Sequence, residues 1–199
     1  LVQYAIFWHL TLTTKSGLVL ALAAIFGFLP QAIVSIFAGV WADRVNRKIM
    51  IIAADASIAV ATLGLAFLML SGVSDLWLIF LVMAVRSVGA GIQMPAVNAM
   101  IPQIVPSDKL MRVNGISSSI QSAMGLLAPI AAAAVYANMS IVPLFFIDVV
   151  TAVIGVSIFA FIAVPSLERV NAADKPSYFA DLKDGMTYIF THDLVRWVM

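Results

Sequence analysis

The chain has 199 residues, no cysteine and a formal net charge of +1, and it is 63% hydrophobic and only 11% charged. A soluble domain of this size needs a polar surface, so this composition indicates a membrane protein. The near-zero net charge gives no basis for a nucleic-acid partner, and without cysteine the chain forms neither disulfides nor thiol sites.

The apolar residues are grouped in blocks long enough to cross ~30 Å of hydrocarbon, which takes about 20 helical residues. The blocks do not alternate polar and apolar positions as the strands of a membrane barrel do. The sequence therefore predicts an all-α transmembrane fold. Because the chain opens inside an apolar run, we expect the first helix to be truncated.

Six helices are predicted, joined by short polar links. Residues 1–12 are too short to span and are expected to form the outer half of the first helix. The other predicted helices cover 17–41, 48–71, 76 to the high 90s, a fifth helix ending near Tyr136, and 141–164. Gly27 and Pro30 predict a kink in the second helix that neighbouring helices must compensate. Ser107 is the predicted N-cap of the fifth helix.

From Pro165 onward the composition becomes polar and charged. We therefore expect a transmembrane bundle at residues 1–164, a cytoplasmic interdomain linker at 165–192 and the start of a seventh helix at 193–199. Within the linker, residues 176–190 carry apolar side chains at helical spacing, which predicts an amphipathic helix on the membrane surface. An ordinary linker helix is favoured over a regulatory one.

Basic residues are distributed unequally between the two faces of this arrangement. The opposite face has only Lys15, and Arg86 lies within a predicted span. The face rich in basic residues collects Arg44, Arg47, Lys48, Lys109, Arg112, Arg169, Lys175, Lys183 and Arg196. Because Lys and Arg are retained in cytoplasmic loops, residues 42–48 and 165–192 are predicted to be cytoplasmic in a multi-pass protein of the plasma (bacterial inner) membrane.

Three ionisable residues, Asp55, Arg86 and Asp148, lie inside predicted spans. A charge at bilayer depth costs at least ~2.5 kcal/mol on insertion scales, so each is expected to face a partner or a water-filled cavity. Arg86 is expected near the midplane, with Gln93 two turns further along the same face. A role of these residues in substrate or proton coupling is weighed evenly against a buried structural ion pair. Asp55 alternatively supports the nearby charged loop, and the partner of Asp148 is either Arg86 or His9.

Small or kinking residues recur every three or four positions in the fifth helix. They are Gly115, Ser118, Ser122, Gly125, Pro129 and Ala132. In lipid such residues allow close backbone approach, so Gly115, Gly125 and Pro129 are predicted to pack against another helix. The alternative is a surface along which two conformations rock.

Catalytic signatures are missing from the sequence. It has no GxxxxGK[ST], HExxH or GxSxG pattern, and its two histidines are His9 and His192. The sequence therefore predicts no enzyme, no bound cofactor and no metal site.

Residues 39–48 (GVWADRVNRK) carry four charges between two apolar runs. This segment resembles the signature cytoplasmic loop of the major facilitator superfamily, G-x-x-x-D-R-x-G-R-[KR], between helices two and three. The matching residues are Gly39, Asp43, Arg44, Arg47 and Lys48. Asn46 replaces the usual glycine, and we attribute this to the tolerance of Asn for left-handed backbone.

Further segments resemble the macrolide-efflux and siderophore-exporter branch of that superfamily. They are residues 27–30 (GFLP), 53–55 (AAD), 86–89 (RSVG), 95–106 (PAVNAMIPQIVP) and 147–148 (ID). The resemblance covers essentially the whole chain. It implies a major-facilitator-type six-helix bundle, the N-terminal half of a twelve-helix transporter whose partners are the lipid bilayer and its own C-terminal half.

The resemblance also implies a function. This is proton-coupled, or other cation-coupled, efflux of a drug-like or amphipathic small molecule by alternating access, driven by an ion gradient without a cofactor. Nutrient uptake and a non-transporting sensor or scaffold are the alternatives. Asp43, at the negative C-terminal end of its helix, needs a donor from elsewhere. The resemblance implies a partner in the other half that holds the cytoplasmic side in one state, with Gly39 allowing its approach.

Overall fold

The computed structural model describes residues 1–162, apart from the side chains of Asp43 and Arg44. Its helices are α1 (Val2–Thr14), α2 (Gly17–Arg44), α3 (Arg47–Leu70), α4 (Leu76–Ile104), α5 (Leu110–Asn138) and α6 (Ile141–Phe161). The described residues contain no strand, and α2 to α6 are each long and apolar enough to cross a membrane. The predicted all-α transmembrane class is confirmed. The predicted linker at 165–192 and seventh helix at 193–199 lie outside the described residues.

The helices run alternately between two ends of the bundle. At one end, called the basic end, α2, α4 and α6 finish and α3 and α5 begin. At the other end lie the links at residues 15–16, 71–75 and 139–140. Each link is short, so consecutive spans are antiparallel.

Helix α4 packs between α2 and α3, and the three form one group. Two glycines allow this close approach. A Cβ atom at Gly91 would lie 2.8 Å from the Gln31 carbonyl oxygen of α2, and one at Gly89 would lie 2.7 Å from the Ile58 side chain of α3. The contact at Gly91 is with backbone atoms, which leave no space for a side chain, whereas at Gly89 the Ile58 side chain would have to shift.

Apart from the contact between α1 and α2, the main packing of the six helices repeats after three. As α4 packs against α2 and α3, α1 packs against α5 and α6, and α3 also packs against α6. If α1 is exchanged with α4, α2 with α5 and α3 with α6, the same packed pairs are obtained. Because α1 and α4 run in opposite directions, this is the pattern of an inverted repeat.

The main apolar core lies in the half of the bundle away from the basic end. It contains the fully buried Ile6 and Leu10 of α1, Met83 of α4 and Phe145 of α6. Since these side chains come from helices distant in sequence, their burial fixes how α1 and α6 are placed against α4.

The segment of α2 around Pro30 makes a hydrogen bond to α4, and the predicted kink stays a prediction. Proline has no N–H to donate, and α2 continues through Pro30. The following N–H, of Gln31, is donated to Ser87 Oγ of α4 at 2.9 Å. A buried hydroxyl on the neighbouring helix thus accepts a hydrogen bond from the backbone N–H next to the proline.

Two predicted boundaries differ from the structure. Although prolines at 95 and 102 indicated an earlier end, α4 continues to Ile104, since neighbouring helices can satisfy the freed backbone groups. The predicted N-cap at Ser107 is wrong. A turn of 3-10 helix occupies Ser107–Lys109, and α5 begins only at Leu110, so Ser107 lies a turn too early to cap it.

Candidate functional site

Asn46 ends the link between α2 and α3. Its φ is −62° and its side-chain oxygen accepts hydrogen bonds from the N–H groups of Lys48 and Ile49. The backbone at this position is therefore not left-handed, so the tolerance of Asn for that conformation does not account for the residue. Asn46 is the N-cap of α3, a position at which Asn ranks among the best residues.

Arg47, in the first turn of α3, joins the ends of two other helices. Its Nε donates to the Ala42 carbonyl at 2.8 Å, and its Nη1 donates to the Ala99 carbonyl at 2.6 Å. Ala42 lies in the last turn of α2 and Ala99 near the end of α4. A cation at these two C-terminal ends is favoured by the partial negative charge of the helix dipole.

Lys48 makes the equivalent connection to α6. Its Nζ donates to the carbonyls of Ala160 at 2.7 Å and Ile162 at 2.8 Å. A cation in the first turn of a helix is unfavourable for that helix's own dipole. The C-terminal ends of α2, α4 and α6 compensate this cost, so Arg47 and Lys48 hold the basic end together.

Gly39, earlier in the same segment, has open surroundings. A Cβ built at Gly39 meets nothing within 4 Å in the described part of the chain. The side chains of Asp43 and Arg44 are outside the description, so the contact expected for Asp43 stays a prediction.

Deeper in the bundle, Arg86 of α4 forms an ion pair with Asp148 of α6. Arg86 Nη1 lies 2.5 Å from Asp148 Oδ2 and donates to Thr62 Oγ1 of α3 at 2.6 Å. The two charged side chains are only 13% and 24% exposed. Of the two partners considered for Asp148, the structure selects Arg86, whereas His9 Nδ1 lies 3.0 Å from the Tyr136 hydroxyl.

Asp55 of α3 pairs with an amide rather than with a cation. Gln93 Nε2 of α4 donates to Asp55 Oδ1 at 2.6 Å. Gln93 lies on the same face of α4 as Arg86, as predicted, but its partner is on α3. Asp55 accordingly faces α4, and among the described residues its hydrogen-bond partner is Gln93 rather than a residue of the charged loop.

Together these residues form a polar column along α3, where it faces α4 on one side and α6 on the other. The column consists of Lys48, Asp55 and Thr62 on α3, Arg86 and Gln93 on α4, and Asp148 on α6. Seven residues are two helical turns, so each member returns to nearly the same face. The fourteen residues from Lys48 to Thr62 span about 21 Å, which places the ion pair deep below the basic end.

Sequence reasoning missed Thr62, which is fully buried and completes the ion-pair cluster. A threonine in an apolar helix is common and gives no signal alone. Its spacing of seven residues after Asp55, matching the spacing of Arg86 and Gln93 on α4, is the signal that identifies it.

The glycines predicted for packing on α5 have open surroundings. Cβ atoms built at Gly115 and Gly125 meet nothing within 4 Å among the described residues, and Pro129 is half-buried. Further along the same face, Ala132 is fully buried. The packing role of Gly115, Gly125 and Pro129 stays a prediction.

A groove of about 430 Å³ lies between the halves of α2 and α4 nearer the basic end. Its polar lining comes from Gln31, Ser35 and Asn98, and its apolar lining includes Phe28 and Met94. None of its lining residues is charged. Such a surface offers hydrogen bonds and apolar contact to an uncharged, amphipathic molecule.

Comparisons with known proteins agree with this architecture. A family model described as Major Facilitator Superfamily matches residues 2–199. Macrolide efflux protein A of Streptococcus pyogenes is 34% identical over 190 residues, which is 95% of this chain and 47% of that protein. Macrolide efflux protein A of Enterococcus faecalis is 33% identical over 175 residues, 87% of this chain and 54% of that protein.

A more distant relative is the uncharacterized MFS-type transporter YfiS of Bacillus subtilis, 22% identical over 163 residues. No solved structure is significantly similar to the chain. The chain spans about half the length of the curated relatives it matches.

Proposed function

The chain belongs to the major facilitator superfamily, and from this premise we propose that the whole protein is a secondary active transporter that exports an amphipathic small molecule by alternating access. One observation carries the proposal. It is the 34% identity, along 95% of the chain, to a protein named for macrolide efflux. The superfamily is one of membrane transporters, so the proposal is of transport and not of catalysis.

The arrangement of helices supports alternating access. In transporters built from inverted repeats, the substrate site lies near the bilayer midplane at the interface between repeated units. The proposed site is formed by the α2–α4 groove together with a C-terminal half of the same protein. The uncharged lining of Gln31, Ser35, Asn98 and Phe28 suits a substrate with hydroxyl and carbonyl groups on an apolar frame.

The energy source we propose is the proton gradient. Buried ionisable groups inside membrane spans are expensive and therefore favour a role in an ion pathway. Within the described residues, the polar column supplies such groups without a cluster of metal ligands. The transporter would lie in the bacterial inner membrane with its basic end in the cytoplasm, because Lys and Arg are retained there.

The test is drug accumulation in an efflux-deficient bacterial host that expresses the whole protein. Cells should accumulate less of a radiolabelled macrolide than vector controls, and a protonophore should abolish the difference. Higher accumulation than in the control would indicate uptake instead. If no compound in a broad panel accumulates less than in the control, the efflux proposal fails.

A further inference from the structure

We propose that Asp55 is the group that takes up and releases the transported proton, and that the Arg86–Asp148 pair stays ionised throughout the cycle. The inference rests on the proposed function, which it deepens by separating the two carboxylates of the polar column. The sequence offered Asp55, Arg86 and Asp148 alike for coupling, whereas the geometry points to Asp55, about two turns nearer the basic end than Arg86.

The first argument is the identity of the partners. Asp148 is held by a guanidinium at 2.5 Å, so protonating it would leave the buried charge of Arg86 without its counter-ion. Asp55 is held by the neutral amide of Gln93 at 2.6 Å. A Gln side chain carries both a donor and an acceptor, so by rotating its amide it can bond a carboxylate or a carboxylic acid. Asp55 can therefore change protonation state without leaving a buried group unpaired.

The second argument is the distribution of charge around Asp55. The helices that pack against α3 are α2, α4 and α6. The span Gly17–Ala42 of α2 has no charged residue, α4 presents Arg86, and α6 presents Asp148. On α3 itself, Arg47 and Lys48 donate to carbonyls at the helix ends.

Asp55 consequently makes no ion pair in the described part of the chain, since its partner there is Gln93. The nearest cation deeper in the column, Arg86, is already neutralised by Asp148. Because no neighbouring cation stabilises the carboxylate form, the membrane environment favours binding of a proton to this carboxyl group.

The third argument is access and coupling. Asp55 is only half-buried and lies about two turns below Lys48 at the basic end, which we place in the cytoplasm. On α4, its partner Gln93 directly precedes Met94, which lines the proposed substrate groove together with Asn98. A change at the Asp55–Gln93 hydrogen bond therefore acts on the same helix that contacts the substrate.

The proton step is balanced without any further reactant. In the outward-facing state, an Asp55 carboxylate oxygen takes a proton that originates outside the cell and becomes a neutral carboxylic acid. In the inward-facing state, the same oxygen returns the proton to cytoplasmic water and is a carboxylate again. One proton thus moves inward for each substrate moved outward, down the proton gradient.

The whole protein, reconstituted in liposomes, provides the test. Two quantities are measured with a radiolabelled macrolide: accumulation driven by an imposed pH gradient, and counterflow, which exchanges label for unlabelled drug without a gradient. Asp55→Asn should lose the gradient-driven accumulation and keep counterflow, because a residue that cannot ionise still permits the conformational exchange. Asp75→Asn, an exposed carboxylate in the α3–α4 link, should match wild type in both assays.

The outcomes separate the two proposals. Wild-type vesicles without gradient-driven accumulation would overturn the proposed function. Wild-type accumulation that persists in Asp55→Asn would overturn this inference alone, and so would loss of accumulation and counterflow together, which indicates a structural residue.

A measurement on the unmodified protein is independent of how any variant folds. Dicyclohexylcarbodiimide reacts with protonated carboxyls in membrane spans, and peptide mass spectrometry locates the adduct. Labelling should occur at Asp55, fall as the pH is raised, and be absent at Asp148. Labelling at Asp148 but not at Asp55 would overturn the assignment.

Discussion

Arg86 and Asp148 lie 62 residues apart in sequence, and their pairing is a property of individual side chains that no local pattern reveals. The depth of each charge is readable from the sequence, because each apolar run has a countable length. Which charge meets which is not readable, since it depends on the rotation of three helices. The same holds for Gln93, whose face was predictable and whose partner, Asp55, was not.

Removing one member of the ion pair should be more harmful than removing both. Arg86→Ala leaves the Asp148 carboxylate buried without a counter-ion, a change that typically destabilises by about 3–5 kcal/mol. The double variant Arg86→Leu/Asp148→Leu should recover much of this loss. Thermal unfolding of the whole protein in detergent measures both, with the exposed Arg112→Ala as the matched control. Equal unfolding temperatures for Arg86→Ala and wild type would contradict the pairing.

Asn46 offers a sharp choice between two roles. As an N-cap, its replacement by Ala should cost about 1 kcal/mol, and replacement by Gly only a few tenths. A left-handed residue would behave differently, because Gly would then stabilise the link. Chemical unfolding of the three proteins distinguishes the roles, and a stabilising Asn46→Gly would contradict the capping geometry.

At the scale of the helices, α4 carries most of the organisation. It lies between α2 and α3 and approaches them closely at Gly91 and Gly89. Its side chains take part in both the polar column and the groove. Its length was underestimated from the sequence, because two prolines predict an end where surrounding helices instead support a continued one. The extents of the other spans followed closely from the lengths of the apolar runs.

Gly91→Ala should show how tight the α2–α4 contact is. The added methyl would lie 2.8 Å from the Gln31 carbonyl oxygen and 3.1 Å from its Cα. Backbone atoms cannot move aside as a flexible side chain does, so we expect a cost of about 1–3 kcal/mol.

Gly64→Ala is the matched control for this contact, since a Cβ there meets nothing within 4 Å. In an open helical position Ala is favoured over Gly by roughly 0.5–1 kcal/mol. Unfolding temperatures should therefore move in opposite directions for the two variants. Equal changes in unfolding temperature for the two variants would mean that the α2–α4 contact is looser than the distances at Gly91 indicate.

For the whole molecule, the 39–48 segment has two kinds of residue. Arg47 and Lys48 donate hydrogen bonds to carbonyls of α4 and α6. These contacts explain both residues without a partner in a second half of the protein. Asp43 lies at the C-terminal end of α2, where a carboxylate is disfavoured, and needs a donor from outside that helix. We propose that this donor belongs to the other half of the transporter and that the contact favours one conformational state.

Asp43→Asn should therefore shift the balance between inward- and outward-facing states of the whole protein. Losing one charge-assisted hydrogen bond is worth about 1.5–3 kcal/mol, enough to change the ratio of the states more than tenfold. Accessibility of cysteines introduced on either side of the membrane measures the shift. Lys109→Gln, a charge change at an exposed residue of the same end, should leave accessibility unchanged. Unchanged accessibility in Asp43→Asn would remove Asp43 from the switch.

The bond between Lys48 and the Ile162 carbonyl has a consequence for how the protein is made. The two residues are 114 positions apart, so the lysine enters the membrane machinery long before its acceptor has been synthesised. During that interval we expect the charge to stay in cytoplasmic water and to orient the α2–α3 hairpin, as the positive-inside rule predicts. Once α6 has been inserted, the same charge is taken up by its last turn. One side chain is thus expected to set topology during synthesis, and it connects α3 to α6 in the finished bundle.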